Sequence, residues 1–212
     1  MLKLYVYEHC PFCARVSFVA GMLKIPFEQI VLAYDDVATP TQLVGKKAVP
    51  ILVKEDGTAM DESMDIIDYF LQLRLPNTPQ VAPSEEVSHW QSKAFPLLQK
   101  IGYPRWHELG LGEFLTVASR QAWQDKKETD ELNFIALKDN TAEIAVQVSD
   151  LLQHAEPILF SPKGMPTLID EAIMFSLLRG WVCEPSIEWP RNVMQWLRDR
   201  SASTGVSVLM LD

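Results

Sequence analysis

The stretch Lys3-Leu4-Tyr5-Val6-Tyr7-Glu8-His9-Cys10-Pro11-Phe12-Cys13-Ala14-Arg15-Val16 decides how this 212-residue chain is read. Residues 3 to 7 alternate and are rich in β-forming side chains, which predicts a strand. From Pro11 to Lys24 the apolar residues Phe12, Val16, Val19, Ala20 and Leu23 recur at helical spacing, and Pro26 ends the pattern. Two cysteines therefore stand where a strand passes into a helix. A thiol at a helix start faces unpaired N–H groups and the positive end of the dipole, so its pKa falls below the free value of about 8.5. Cys10 is the expected nucleophile. Cys13, one turn further in, is less open to solvent and is the expected resolving thiol, able to attack a mixed disulfide formed on Cys10. Pro11 suits the first helical turn, where its missing N–H is no loss.

Outward from this motif, Phe27 to Leu32 reads as a second buried strand. Thr39-Pro40-Thr41 opens a short helix with a capping hydroxyl, and Gly45 closes it. Pro50-Ile51-Leu52-Val53 and Thr58-Ala59-Met60 flank the hairpin signal Asp56-Gly57. Ser63 then precedes a helix with Met64, Ile67, Phe70 and Leu71 on its apolar face. The order β-α-β-α-β-β-α over residues 1–75 is an α/β domain. Pro76, Pro79 and Pro83 mark residues 76–84 as a linker. Residues 85–212 read as an all-α bundle, with helical patterns at 85–109, 116–128, 134–156, 168–182 and 190–201. Thr167-Leu168-Ile169-Asp170 fits a capping box.

Composition narrows the class. Nearly half the residues are apolar, with six Trp and nine Phe, enough for packed cores. The net charge of −9 opposes binding to a phosphate backbone, and the longest basic runs are the pairs Lys46-Lys47 and Lys126-Lys127, so no nucleic-acid partner is expected. Glu8 interrupts the first apolar segment too early for a signal peptide, and nothing is long enough to span a bilayer. The expected setting is cytoplasmic, without membrane partners, where thiols stay reduced and three cysteines are no disulfide framework. A closed zinc site needs four ligands, whereas Cys183 is the one further cysteine and His89, His107 and His154 are scattered, so no metal is expected. Two inert buried cysteines are the other bland reading, which the strand-to-helix placement disfavours. Cys183, beside Trp181 and Val182, reads as a small buried hydrophobe.

The motifs Cys10-Pro11-Phe12-Cys13, Val49-Pro50 and Glu62-Ser63 resemble those of glutaredoxins, which share the thioredoxin fold. Asp35-Asp36-Val37-Ala38-Thr39-Pro40-Thr41, the run Val44 to Leu52 and Glu62 to Ile67 extend the likeness to glutaredoxins built like glutathione transferases, with a thioredoxin-like domain followed by an all-helical one. Asp125-Lys126-Lys127-Glu128 and Trp189-Pro190 carry it, more weakly, through the helical half. The resemblance implies a glutathione-dependent oxidoreductase, a monomer that acts on glutathionylated proteins and disulfide substrates. It implies a cis peptide at Val49-Pro50, with backbone beside it pairing with the cysteinyl part of glutathione. Ser63 would bind the γ-glutamyl carboxylate and Glu62 would frame it, while Phe12 would lie along the ligand. For Ser63, simple capping of its own helix is the competing reading. Glu8-His9 departs from the basic residue many small glutaredoxins carry before the dithiol, so Lys47, with Lys46, becomes a candidate for the glycine carboxylate. His9 either tunes Cys10 or is a bystander. A glutathione transferase and an iron–sulfur-binding module are the rival functions; the second cysteine argues against the first, and the dithiol against the second.

Overall fold

The computed structural model describes residues 1–77, 82–161 and 166–210. In strand β1 (Leu2–Val6), Leu2, Leu4 and Val6 are buried while Lys3 and Tyr5 are more open, as a strand with one face on a core requires. It pairs in parallel with β2 (Phe27–Val31) and antiparallel with β3 (Ile51–Val53), which pairs in turn with β4 (Ala59–Met60). The resulting order is β2-β1-β3-β4. The expected second buried strand is therefore an edge strand, and Glu28 and Gln29 on it are exposed. The hairpin turns at Gly57, whose φ of +87° suits a residue without a Cβ.

Helix α1 (Pro11–Met22) is apolar on almost every side because it is enclosed. It packs against α3 (Ser63–Arg74) and against α8 (Leu168–Leu178) and α9 (Arg191–Thr204) of the helical half. Phe18 meets Phe175 with ring centroids 4.9 Å apart. At Gly21 the approach to α9 is so close that a Cβ would collide with the Thr204 backbone. The short helix α2 (Ala38–Val44) corrects one expectation: Thr39 lies inside it, and Asp36 Oδ1 accepts from Thr39 N–H at 2.9 Å. Gly45 closes it at φ +78°.

The helical half comprises α4 (Glu85–Trp106), α5 (Val117–Lys127), α6 (Phe134–Asp139), α7 (Thr141–Leu159), α8 and α9. The single helix expected over 134–156 is two, broken at Asn140. There the Thr141 hydroxyl donates to Lys138 O at 2.6 Å and accepts from Arg105 Nη2 at 2.6 Å. Such local polar bonds compete with the regular ladder and leave no trace in apolar spacing. The pattern over 168–182 is α8 followed by a 3-10 turn at Arg179–Trp181. Only half of the expected capping box forms. Thr167 Oγ1 accepts from Asp170 N–H at 3.1 Å, but the Asp170 carboxylate accepts from Ser84 N–H at 2.8 Å, joining the starts of α8 and α4. Of the expected linker, residues 78–81 lie outside the described residues. One buried apolar cluster runs from the sheet through α1 and α8 into the helical half.

Candidate active site

Strand register brings the sequence motifs to one edge of the sheet. Tyr5 pairs with Ile51, so Val49-Pro50 lies where β1 runs out toward Cys10. Leu52 pairs with Met60, so β4 also runs out at that edge, into Glu62-Ser63. The Val49-Pro50 peptide is cis. Residues 32–36, after β2, leave the sheet at the same end. A larger cavity of about 650 Å³ beside Met1, Lys54 and Tyr69 lies at the opposite edge and contains no thiol.

Cys10 is the N-cap of α1, with extended backbone (φ −67°, ψ 121°), and its Sγ accepts from Cys13 N–H at 3.5 Å. Pro11 occupies the first turn, as expected. All three cysteines are free thiols. A proton shared from the Cys13 thiol holds the Cys10 thiol below its ordinary value, against burial, with N–H groups of Cys13 and Phe12 and the Arg15 guanidinium assisting. Burial, followed by the adjacent Cys10, pushes Cys13 well above that value. The two thiols are thus unequal in the sense expected from their order along the helix. Since the thiolate is the reacting form, alkylation rises with pH through the Cys10 pKa. Iodoacetamide titration of the parent protein, with modification followed at Cys10 by peptide mass, is expected to give a midpoint below the free-thiol value of about 8.5. A midpoint at or above it would contradict this electrostatic picture.

Phe12 is 40 % exposed beside Cys10, 6.0 Å from the Phe95 ring, and the Arg15 guanidinium lies 4.8 Å from its centroid. Arg15 itself is buried and donates to Gln91 Oε1 at 3.2 Å. A cleft over Cys10 is lined by Phe12, Phe95, Gln99, Tyr103, Trp123 and Lys127. Ser63 is the first residue of α3, whose N-cap is Glu62. Glu62 makes no side-chain capping hydrogen bond, and Ser63 stands one residue inside the helix rather than at its N-cap, which corrects the simple reading of Ser63 as the cap. Lys46 reaches Asp61 at 2.8 Å and Glu62 at 3.5 Å. Lys47 is not in that group; its Nζ lies 4.4 Å from the Tyr34 ring centroid.

Sequence reasoning missed the anchoring of Glu8-His9. Glu113 Oε1 accepts from both His9 N–H (2.9 Å) and His9 Nδ1 (2.7 Å). A carboxylate can only accept, so the imidazole proton is on Nδ1. Burial lowers the His9 pKa, and the ring is neutral at pH 7. Burial works against the Glu113 carboxylate, but the bonds from His9 outweigh it and keep it ionised. Glu8 Oε2 accepts from Gly112 N–H at 2.6 Å, and Glu8 O accepts from Arg179 Nη1 at 2.8 Å. His9 is thus a buried, anchored residue rather than a bystander in a solvated loop. Its partner lies 104 residues away, beyond the reach of any spacing rule.

A mixed sheet with a reduced, asymmetric dithiol at its first helix and a helical half against that helix defines a thioredoxin-like thiol–disulfide oxidoreductase. Two family models match the chain: "Glutathione S-transferase, N-terminal domain" over residues 4–78 and "Glutaredoxin 2, C terminal domain" over 86–211. Glutaredoxin 2 of Escherichia coli K12 is 33 % identical over 210 residues, covering 98 % of each chain. The solved structure of Salmonella typhimurium glutaredoxin 2 in complex with glutathione superposes with a TM-score of 0.89 at 30 % identity, covering 99 % of this chain and 97 % of that one. A glutathione S-transferase from Ceriporiopsis subvermispora, at 13 % identity and a TM-score of 0.67 with 96 % of each chain covered, shares the fold. The chain belongs to the glutaredoxin 2 family.

Proposed function

We propose that Cys10 and Cys13 are the working thiols of a glutathione-dependent disulfide oxidoreductase. The Cys10 thiolate attacks the glutathionyl sulfur of a mixed disulfide. The Cys10–S–glutathione bond forms as the substrate sulfur leaves as a thiolate, which takes up a proton. A second glutathione thiolate then attacks that bond, yielding oxidised glutathione and restoring Cys10. With a protein disulfide, Cys10 forms a mixed disulfide and Cys13, after losing its proton, displaces the second substrate thiol; two glutathiones then reduce the Cys10–Cys13 disulfide. The opposed pKa shifts of the two sulfurs carry this assignment.

Glutathione is the thiol co-substrate, and the site residues divide its length. The Ser63 hydroxyl and the free N–H groups at the start of α3 take the γ-glutamyl carboxylate, framed by Glu62. Backbone beside the cis Val49-Pro50 peptide pairs with the cysteinyl part. Phe12 lies along the ligand, and Lys47 takes the glycine carboxylate. Support comes from the convergence of these segments at one sheet edge and from the place of Ser63 in the first turn of α3, beyond the N-cap position. Ser63→Ala is expected to cost about 1.5 kcal/mol of glutathione binding, close to ten-fold in KM, for loss of a hydrogen bond to a charged group. Its thermal midpoint should stay near that of the parent. An unchanged KM for glutathione would remove Ser63 from the site.

The reading extends to glutathionylated proteins and protein disulfides as substrates of a monomer working in the cytoplasm, with domains 1–75 and 85–212. Three cysteines, too few for a disulfide framework, and the charge of −9 agree with that setting. Among the described residues no helix is long and apolar enough to cross a membrane.

A further inference from the structure

Residues 112–119 of the helical half form a clip over the sheet edge that carries the dithiol. Gly112 N–H donates to Glu8, Glu113 O accepts from Tyr34 N–H at 2.9 Å, and Ser119 Oγ donates to Asp35 Oδ1 at 2.6 Å. Glu113 is the most constrained member: its side chain is fully buried and one oxygen takes two N–H groups of His9, the residue preceding Cys10. The other oxygen, Oε2, is buried without a hydrogen-bond partner among the described residues. The His9 ring is itself held among aromatic rings, with centroids at 4.6 Å from Trp123, 5.2 Å from Phe114 and 5.4 Å from Trp106. Retaining an ion with an unpaired buried oxygen is costly, and a carboxylate at this point has a geometric effect that an apolar residue lacks. It determines where the backbone stands one residue before the nucleophile.

We infer that Glu113 is a positioning residue for Cys10, holding the Glu8-His9 turn so that the thiol stays at the N-cap of α1. The inference rests on Cys10 being the nucleophile. Its device is the fixed acceptor rather than the charge. Arg179, Lys127 and Cys13 also face this group, and their influence is common to the variants compared below.

Glu113→Asp keeps the charge but withdraws the acceptor by one methylene, whereas Glu113→Gln keeps an acceptor and removes the charge. Both are made in the otherwise unaltered protein, where Cys183 is buried, the Cys13 thiol is held well above its ordinary pKa, and modification is read at Cys10 by peptide mass. Iodoacetamide alkylation is followed against pH, and kcat/KM is measured with a glutathione mixed disulfide. The Asp variant is expected to lose at least about ten-fold in kcat/KM, since a misplacement of about 1 Å costs on the order of 100-fold. Its alkylation midpoint should move up toward that of an ordinary thiol. The Gln variant should stay much closer to the parent in both measures. A parental Asp variant, or a Gln variant impaired as far as the Asp one, overturns the inference. If Glu113→Asp does not fold, His9→Ala removes one donor and is expected to shift the midpoint in the same direction; a parental profile there also overturns it. Alkylation requires no glutathione, so failure here is separable from failure of the catalytic reading, which shows as activity surviving Cys10→Ser.

Discussion

Cys10→Ser is expected to abolish reduction of a glutathione mixed disulfide, with a loss on the order of 10³-fold or more, as when other covalent enzymes lose their nucleophile. Cys13→Ser is expected to retain the larger part of the same activity. The inequality follows from chemistry: transfer of glutathione through Cys10 uses a second glutathione to regenerate the thiolate, with no step at Cys13. Loss of Cys13 should instead show with protein disulfides, where the mixed disulfide on Cys10 has no internal thiol to release it. The check is an initial-rate assay of parent and both variants on one glutathione mixed disulfide and one protein disulfide. Undiminished activity of Cys10→Ser on the first substrate would sink the mechanism. Equal losses in both single variants would remove the division of roles between the thiols.

Trp123→Ala is expected to have the largest effect on stability. Trp123 is fully buried, and its Nε1–H donates to Tyr103 O at 2.9 Å. Tyr34, Tyr103 and Phe114 surround it in edge-on contact at centroid distances of 5.1, 5.0 and 5.3 Å. Removing so large a side chain from a packed interior costs about 3–5 kcal/mol, measurable as a lowered urea midpoint. Because the His9 ring stands edge-on to Trp123 at 4.6 Å, the cavity also frees the turn before the nucleophile. Cys10 alkylation should therefore change together with stability. A loss below about 1 kcal/mol, the scale of ordinary surface and near-neutral changes, would mean that the aromatic cluster closes around the gap.

The β-α-β-α-β-β-α order was legible because each signal is local: alternation in β1, the proline stop at Pro26, Asp56-Gly57 at the hairpin and Gly45 at the end of α2. Local signals also misled. The apolar content of Phe27 to Leu32 concealed that β2 stands at an edge, and helical spacing over 134–156 ran through a break made by the Thr141 and Arg105 side chains. At Thr167 the capping motif foresaw the hydroxyl bond but not the tertiary competitor, Ser84 N–H, that takes the Asp170 carboxylate.

The sequence by itself determined that two thiols stand at a strand-to-helix junction and that the first is the more acidic, since helix ends and i,i+3 spacing are short-range properties. Tertiary structure alone decided what surrounds them. Glu113 meets His9 across 104 residues, and Arg179 meets the Glu8 carbonyl across 171. Contacts at such separations arise only when α1 is enclosed between the sheet and the helical half. That enclosure removes water, lowers the His9 pKa, raises that of Cys13, and makes a buried carboxylate the partner of the residue before the nucleophile.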